Sequence, residues 1–232
     1  MKINIQRQSV VTYDVDVEGA TLLEMLNEIK RSQDPSLAYS SGCRSSVCGS
    51  CSVRVNGREV LACSYHAKDG DLVEPLRNAV LLRDLVVDMD MAYSFNAKAK
   101  AWQSSLAENV SLSIENQYIN ELQSDCILCA SCYSACPVYA VNSEFLGPFS
   151  LTRVWRYVSD KRESNPKSKI DAVQTNGVWD CTLCNECTIV CPQGISSKAD
   201  IEKLRAKSSM FGYMDPSFGN FGGSFNDGSP VF

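Results

Sequence analysis

The sequence predicts an α+β protein in which a strand-rich first part precedes an all-helical second part. Three observations carry this. Up to Leu76 the short apolar runs alternate with polar residues at a two-residue period, interrupted by one helical stripe. From Ser111 onward apolar residues recur only at helical spacing. The 12 cysteines fall into three groups of four, one in the first part and two in the second.

The elements follow in order. Ile3 and Ile5, then Val11, Tyr13, Val15 and Val17, alternate with polar residues and predict a hairpin. Thr21–Arg31 reads as a helix with Leu22, Leu23, Met25, Leu26 and Ile29 on one face. Thr21 and Glu24 are placed as a capping box, and Asp34-Pro35 ends the helix. Asn56-Gly57 between Ser52–Val55 and Arg58–Cys63 is a strong hairpin signal. Leu72–Leu76 reads as a closing strand. This order of hairpin, helix, cysteine loop, hairpin and strand is that of a β-grasp. Val80–Met91 reads as helical, and 96–109 is polar enough for a connector. Leu151–Arg162 is an amphipathic helix, 164–168 a loop, and Ala199–Lys207 a last charged helix. The expected domains are 1–95, 96–207, and an aromatic, Gly- and Asn-rich tail at 208–232. That tail reads as either disordered or docked on a partner through its aromatic residues.

Composition excludes several classes. With 232 residues, 44% hydrophobic and 21% charged, the chain is ordinary for a globular protein. A formal charge of −5, with no Lys/Arg stripe, argues against nucleic acid. No apolar run approaches the roughly 20 residues of a membrane span, and the N-terminus lacks a signal-peptide core. One histidine, and no triad or HExxH pattern, leaves no candidate catalytic residue.

Cysteine spacing carries the chemistry. Cys43, Cys48 and Cys51 stand as C-x4-C-x2-C, the plant-type [2Fe–2S] loop, and the following hairpin returns Cys63 as the fourth ligand. Cys126, Cys129, Cys132 and Cys136 before Pro137, and Cys181, Cys184, Cys187 and Cys191 before Pro192, are two bacterial-ferredoxin runs. In such pairs the fourth cysteine of each run serves the other cluster. Cys126, Cys129, Cys132 and Cys191 then hold one [4Fe–4S], and Cys136 joins Cys181, Cys184 and Cys187 around the other. Disulfides suit small secreted domains, and zinc does not explain two runs of this form. A chain of three clusters is a one-electron wire whose substrates sit on other subunits.

The chain resembles the iron–sulfur subunit of succinate dehydrogenases and fumarate reductases over about residues 1–205. The resemblance rests on Cys43-Arg44-Ser45-Ser46-Val47-Cys48-Gly49-Ser50-Cys51, Arg83–Met89, Cys126–Cys132 and Gly147-Pro148. It implies an FAD flavoprotein partner that interconverts succinate and fumarate, and a membrane-associated, quinone-reactive partner. It implies attachment to the membrane through that partner, at the cytoplasmic face. A relay for another flavoprotein, or for a thiol/disulfide-linked reductase, is the alternative. Two departures stand out. Most members lack a cysteine at the place of Cys184 and carry a [3Fe–4S] third cluster. Here a second [4Fe–4S] is expected, a [3Fe–4S] with Cys184 turned away being the alternative. Where the family has a Trp and a His near the quinone, this chain has Val141 and Thr182, so no more than Pro137 is expected there. Both departures resemble a branch whose membrane-side partner is cysteine-rich and haem-free.

Overall fold

The computed structural model describes residues 1–16 and 19–219. The first part is built on a five-stranded sheet of order β2-β1-β5-β3-β4. Its strands are β1 (Lys2–Gln6), β2 (Val10–Asp14), β3 (Ser52–Val55), β4 (Arg58–Leu61) and β5 (Leu72–Glu74). β1 and β2 form the expected hairpin with Ile3 opposite Tyr13, while β5 returns parallel to β1. Asn56 and Gly57 both have positive φ, as a tight two-residue turn with the twist of its strands requires. Helix α1 (Leu22–Ser32) lays its predicted stripe on the sheet, capped by Thr21 and Glu24 as read from the sequence. Ile3, Ile5, Leu22, Met25 and Ile29 are wholly buried in this core. Val17 lies outside the described residues.

Residues 80–91 correct the sequence reading. They form a two-stranded hairpin, β6 (Val80–Arg83) and β7 (Val86–Asp88), and helix α2 (Asp90–Lys98) begins only afterwards. Val80, Leu81 and Leu82 are all exposed, so no helical stripe exists to be buried. A tertiary contact decides the turn. Asp84 sits at φ 49° and takes the Arg7 Nε proton at 2.8 Å and the Ala38 N–H at 2.9 Å. This ties the hairpin to β1 and to the segment after α1, and overrides a weak helical period.

Among the described residues the second part is helical, apart from an isolated bridge between Leu106 and Glu163. It contains α3 (Ile114–Tyr118), α4 (Glu121–Ser124), α5 (Ser131–Ser134), α6 (Pro137–Val141), α7 (Pro148–Val158), α8 (Pro166–Ala172), α9 (Glu186–Ile189), α10 (Ser197–Met210) and α11 (Pro216–Gly219). α7 and α10 pack as its central pair. α7 starts and ends earlier than expected, because Gly147 and Pro148 make a better start than Leu151. Gly147 has φ 80°, and a Cβ there would stand 2.1 Å from the Tyr133 ring. The expected loop at 164–168 is instead the start of α8, with Asn165 capping and Pro166 at its first position. Buried Lys169 on α8 pairs with buried Glu163 at 2.9 Å and donates to Ser104 Oγ at 2.6 Å, fixing the connector.

Neither expected domain boundary is a break in packing. α2 spans the one at 95, and its Ala92 and Phe95 belong to the helical core with Tyr133, Tyr139 and Phe149. α10 runs past 208, and Phe211 and Tyr213 pack back onto that core rather than forming a tail. The tail from residue 220, with Phe221, Phe225 and Phe232, lies outside the described residues.

Candidate electron-relay site

The first cysteine loop folds around its own sulfurs. The backbone N–H groups of Ser45, Val47 and Cys48 each point at Cys43 Sγ at 3.3 Å. Cys43 N–H donates to Cys48 Sγ, and Ser46 N–H to Cys63 Sγ, again at 3.3 Å. Arg44, Ser46 and Gly49 reach positive φ to make this concave array of donors, a nest suited to an anionic centre. β4 and the turn after it return Cys63, as the sequence requires. The Ser50 hydroxyl, 3.2 Å from Cys48 Sγ, is first among the bonds that bring the Cys48 thiol down to about 6. Burial pushes Cys51 up to about 11.

The two ferredoxin runs share one backbone shape. In Cys126–Cys132 the residues flanking the middle cysteine, Leu128 and Ala130, have φ of 54° and 58°. In Cys181–Cys187 the equivalents, Leu183 and Asn185, have φ of 57° and 74°. None is glycine; Leu128, Ala130 and Leu183 keep a strained conformation at about 1–3 kcal/mol each, whereas asparagine adopts it more readily at 185. Ala130 and Asn185 each open a one-turn helix, α5 or α9, that carries the third cysteine. The fourth cysteine follows the turn. Because α5 and α9 pack together, each delivers its fourth cysteine to the opposite run.

Cys191 lines one small space with Cys126, Cys129 and Cys132, partly open to solvent. Cys136 lies within electrostatic reach of Cys181 and Cys184, and Cys187 of Cys181, Cys136 and Cys184. Among the described residues no three His, Cys, Asp or Glu side chains are spaced to close on a single ion. Burial pushes Cys126, Cys136, Cys181 and Cys191 up, Cys132 well up, and Cys187 up to about 12. Such thiolates need adjacent positive charge, and backbone N–H groups supply only part of it: Leu183 to Cys181, Tyr139 to Cys136 and Ile195 to Cys191, each at 3.4 Å. The donor set fits iron–sulfur cores.

The far end of the array is open. Cys184, Pro137, Thr182 and Val141 are all exposed, Val141 at 87%. Behind it Arg205 donates to the carbonyls of Val178 (2.7 Å), Trp179 (3.2 Å) and Cys181 (2.5 Å), and its guanidinium lies over Trp179. Arg205 carries no sequence signal for this role, since it stands on a helix that reads only as charged.

The chain's matches to known proteins follow this geometry. Residues 2–94 match the 2Fe-2S iron-sulfur cluster binding domain family, and residues 122–195 the 4Fe-4S dicluster domain family. The fumarate reductase iron-sulfur subunit of Escherichia coli O6:H1 is 35% identical over 207 residues, covering 85% of each chain. The chain belongs to the family of fumarate reductase and succinate dehydrogenase iron–sulfur subunits. As a member it is an electron-transfer subunit with [2Fe–2S]- and [4Fe–4S]-binding domains. The 8-methylmenaquinol:fumarate reductase iron-sulfur subunit of Wolinella succinogenes is 37% identical over 205 residues. That match covers 82% of this chain and 64% of the relative, so the chain spans just under two thirds of that protein's length. A chain of the Mycobacterium smegmatis Sdh1 complex in the apo form superposes with a TM-score of 0.82. It covers 93% of this chain and 98% of that one at 24% identity, a likeness of fold. No helix among the described residues is long and apolar enough to cross a membrane.

Proposed function

We propose that this subunit relays single electrons between an FAD flavoprotein that interconverts succinate and fumarate and a quinone-linked, membrane-associated subunit. The ligand sets are Cys43, Cys48, Cys51 and Cys63 for the [2Fe–2S]; Cys126, Cys129, Cys132 and Cys191 for the [4Fe–4S]; and Cys136, Cys181, Cys184 and Cys187 for the third cluster. Bound clusters supply one-electron storage at potentials set by charge, hydrogen bonds and exposure. The carrying observation is the crossed grouping, with Cys191 among the thiols of the first run and Cys136 beside those of the second. It packs two redox centres against one pair of helical turns, and the first loop lies against Cys129.

The third cluster is a second [4Fe–4S], because Cys184 stands within electrostatic reach of Cys136, Cys181 and Cys187. Thr182 and Val141 leave only Pro137 as a quinone contact from this chain. The membrane-side partner is therefore the cysteine-rich, haem-free kind, and the complex sits at the cytoplasmic face. The Wolinella relative, whose name couples fumarate reduction to 8-methylmenaquinol, supports the quinone link.

The test is purification of the complex, analysis of its iron and acid-labile sulfide, and dye-linked succinate oxidation and fumarate reduction. The reading expects one two-iron and two four-iron clusters with C4-dicarboxylate turnover. A cluster-loaded complex that binds no C4-dicarboxylate would instead establish a relay for another flavoprotein.

A further inference from the structure

Two contacts join the first cysteine loop to the second group. In one, Gln193, two residues after Cys191, donates its Nε2 proton to Ser46 O at 3.0 Å. In the other, Gly49 lies against Cys129. A Cβ placed on Gly49 would stand 2.7 Å from Cys129 Cβ, 2.9 Å from Cys129 Cα and 3.1 Å from Ile127 O. Two of these neighbours are backbone atoms, which cannot turn aside. Gly49 also holds φ 72°. The position therefore excludes a side chain twice, by conformation and by space.

We infer that the Gly49–Cys129 contact is the electron junction between the first and second clusters, and that Gly49 acts there as a positioning residue by lacking a side chain. The inference rests on the ligand sets proposed above. Two routes can be compared from the distances. Through Gly49, the path leaves Cys48, crosses one peptide bond and reaches the carbon that bears the Cys129 sulfur by direct contact. Through Gln193, it leaves Cys63 Sγ, crosses a 3.3 Å bond to Ser46 N and a 3.0 Å bond from Ser46 O, then runs down a side chain and two residues to Cys191. Electronic coupling falls with every bond and gap, so the first route dominates. The step is a one-electron exchange. One centre is oxidised as the other is reduced, no bond or proton moves, and the flavin or quinone side supplies or takes the electron.

The test uses the whole complex with Gly49→Asn, Gly49→Ala and, as control, Gly70→Ala. Asn adopts positive φ readily, so Gly49→Asn isolates the effect of the side chain. Gly70 has φ 83° with nothing among the described residues within 4 Å of its Cβ position, so Gly70→Ala carries the backbone strain alone. Iron, sulfide and the individual EPR signals test the ligand sets separately from the junction. The junction is read from the relaxation of the [2Fe–2S] signal when the neighbouring [4Fe–4S] is reduced, and from the rate of electron exchange after flash reduction. Wild type and Gly70→Ala should show strong relaxation enhancement. Gly49→Asn, with both clusters present, should lose most of it and exchange electrons several-fold more slowly. Unchanged coupling and rate in Gly49→Asn, or an equal loss in Gly70→Ala, overturns the inference. Should both Gly49 variants lose the first cluster, Gln193→Leu decides, since it removes the competing bond to Ser46 O: an unchanged exchange rate upholds the Gly49 route, and a several-fold loss overturns it.

Discussion

Replacing Asp200 with Asn should stabilise the protein above neutral pH and do nothing in acid. Asp200 stands on α10 at 1% exposure, behind Thr152, a residue of the wall around Cys126, Cys129, Cys132 and Cys191. Its Oδ1 accepts the Gln123 amide proton at 2.8 Å, and the half-exposed Lys203 ammonium lies 3.9 Å away. Among the described residues its Oδ2 has no hydrogen-bond partner, nor has Thr152 Oγ1. Burial wins over these contacts and pushes the carboxyl from 3.8 up to about 6. A carboxyl with a raised folded value contributes nothing below its unfolded value, and its penalty grows from there until the pH passes its folded value. The two values differ by about two pH units, and one unit is worth about 1.36 kcal/mol, so the ionised group costs the folded state roughly 3 kcal/mol at about pH 8. Asn keeps an acceptor for Gln123, adds a donor toward Thr152 and carries no charge. The assay is the apparent thermal midpoint of the cluster-loaded protein at one scan rate, since cofactor-bearing proteins often unfold irreversibly. Asp200→Asn should melt several degrees above wild type at about pH 8, with the gap closing toward pH 4. A lower midpoint at alkaline pH, or a gap independent of pH, would refute the reasoning.

Cys184→Ser should convert the third cluster to a three-iron form. The air-oxidised variant should show the strong isotropic low-temperature EPR signal that the parent lacks, while the other clusters stay unchanged. Lys169→Met leaves Glu163 buried without its cation and should lower stability by about 3–5 kcal/mol in denaturant melts, with Glu163→Gln added to it restoring part of the loss. Hydrogen bonds from Ser36 and Tyr13, and the Arg7 charge, hold Asp34 far below its ordinary value. Asp84 is pushed up by burial but brought down on balance by Arg7. Depressed carboxyls stabilise above their ordinary 3.8 and lose that contribution as pH falls below it. Stability should therefore drop on acidification below about pH 4, and Arg7→Gln should flatten that drop while lowering the melting midpoint at neutral pH.

Much of the β-grasp was legible because its signals are local. The Thr21–Glu24 box, the alternating strand residues and the Asn56-Gly57 turn act within a few residues; the box and the turn formed as read, and the alternating run paired through Asp14. Residues 80–91 misled because Val80, Leu81 and Leu82 fit either period. Arg7, Asp84 and Ala38 N–H, far apart in sequence, settled the matter. The start of α8 was a missed local signal, for Asn165-Pro166 is an ordinary cap followed by an N1 proline. Arg205, Gln193 and Asp200 had no signal at all.

The spacing of the twelve cysteines determined the class of chemistry, since a cluster's ligands must come from short loops whose reach is set by covalent geometry. Ligand type and number, with the expectation of crossed fourth cysteines, were thus written in the chain. What meets what across the two halves was not. Gly49 against Cys129 and Ser46 bonded to Gln193 are contacts between segments far apart in sequence. They exist only because the sheet and the α7–α10 pair pack in one arrangement, and close packing decides such contacts by excluding every atom that does not fit.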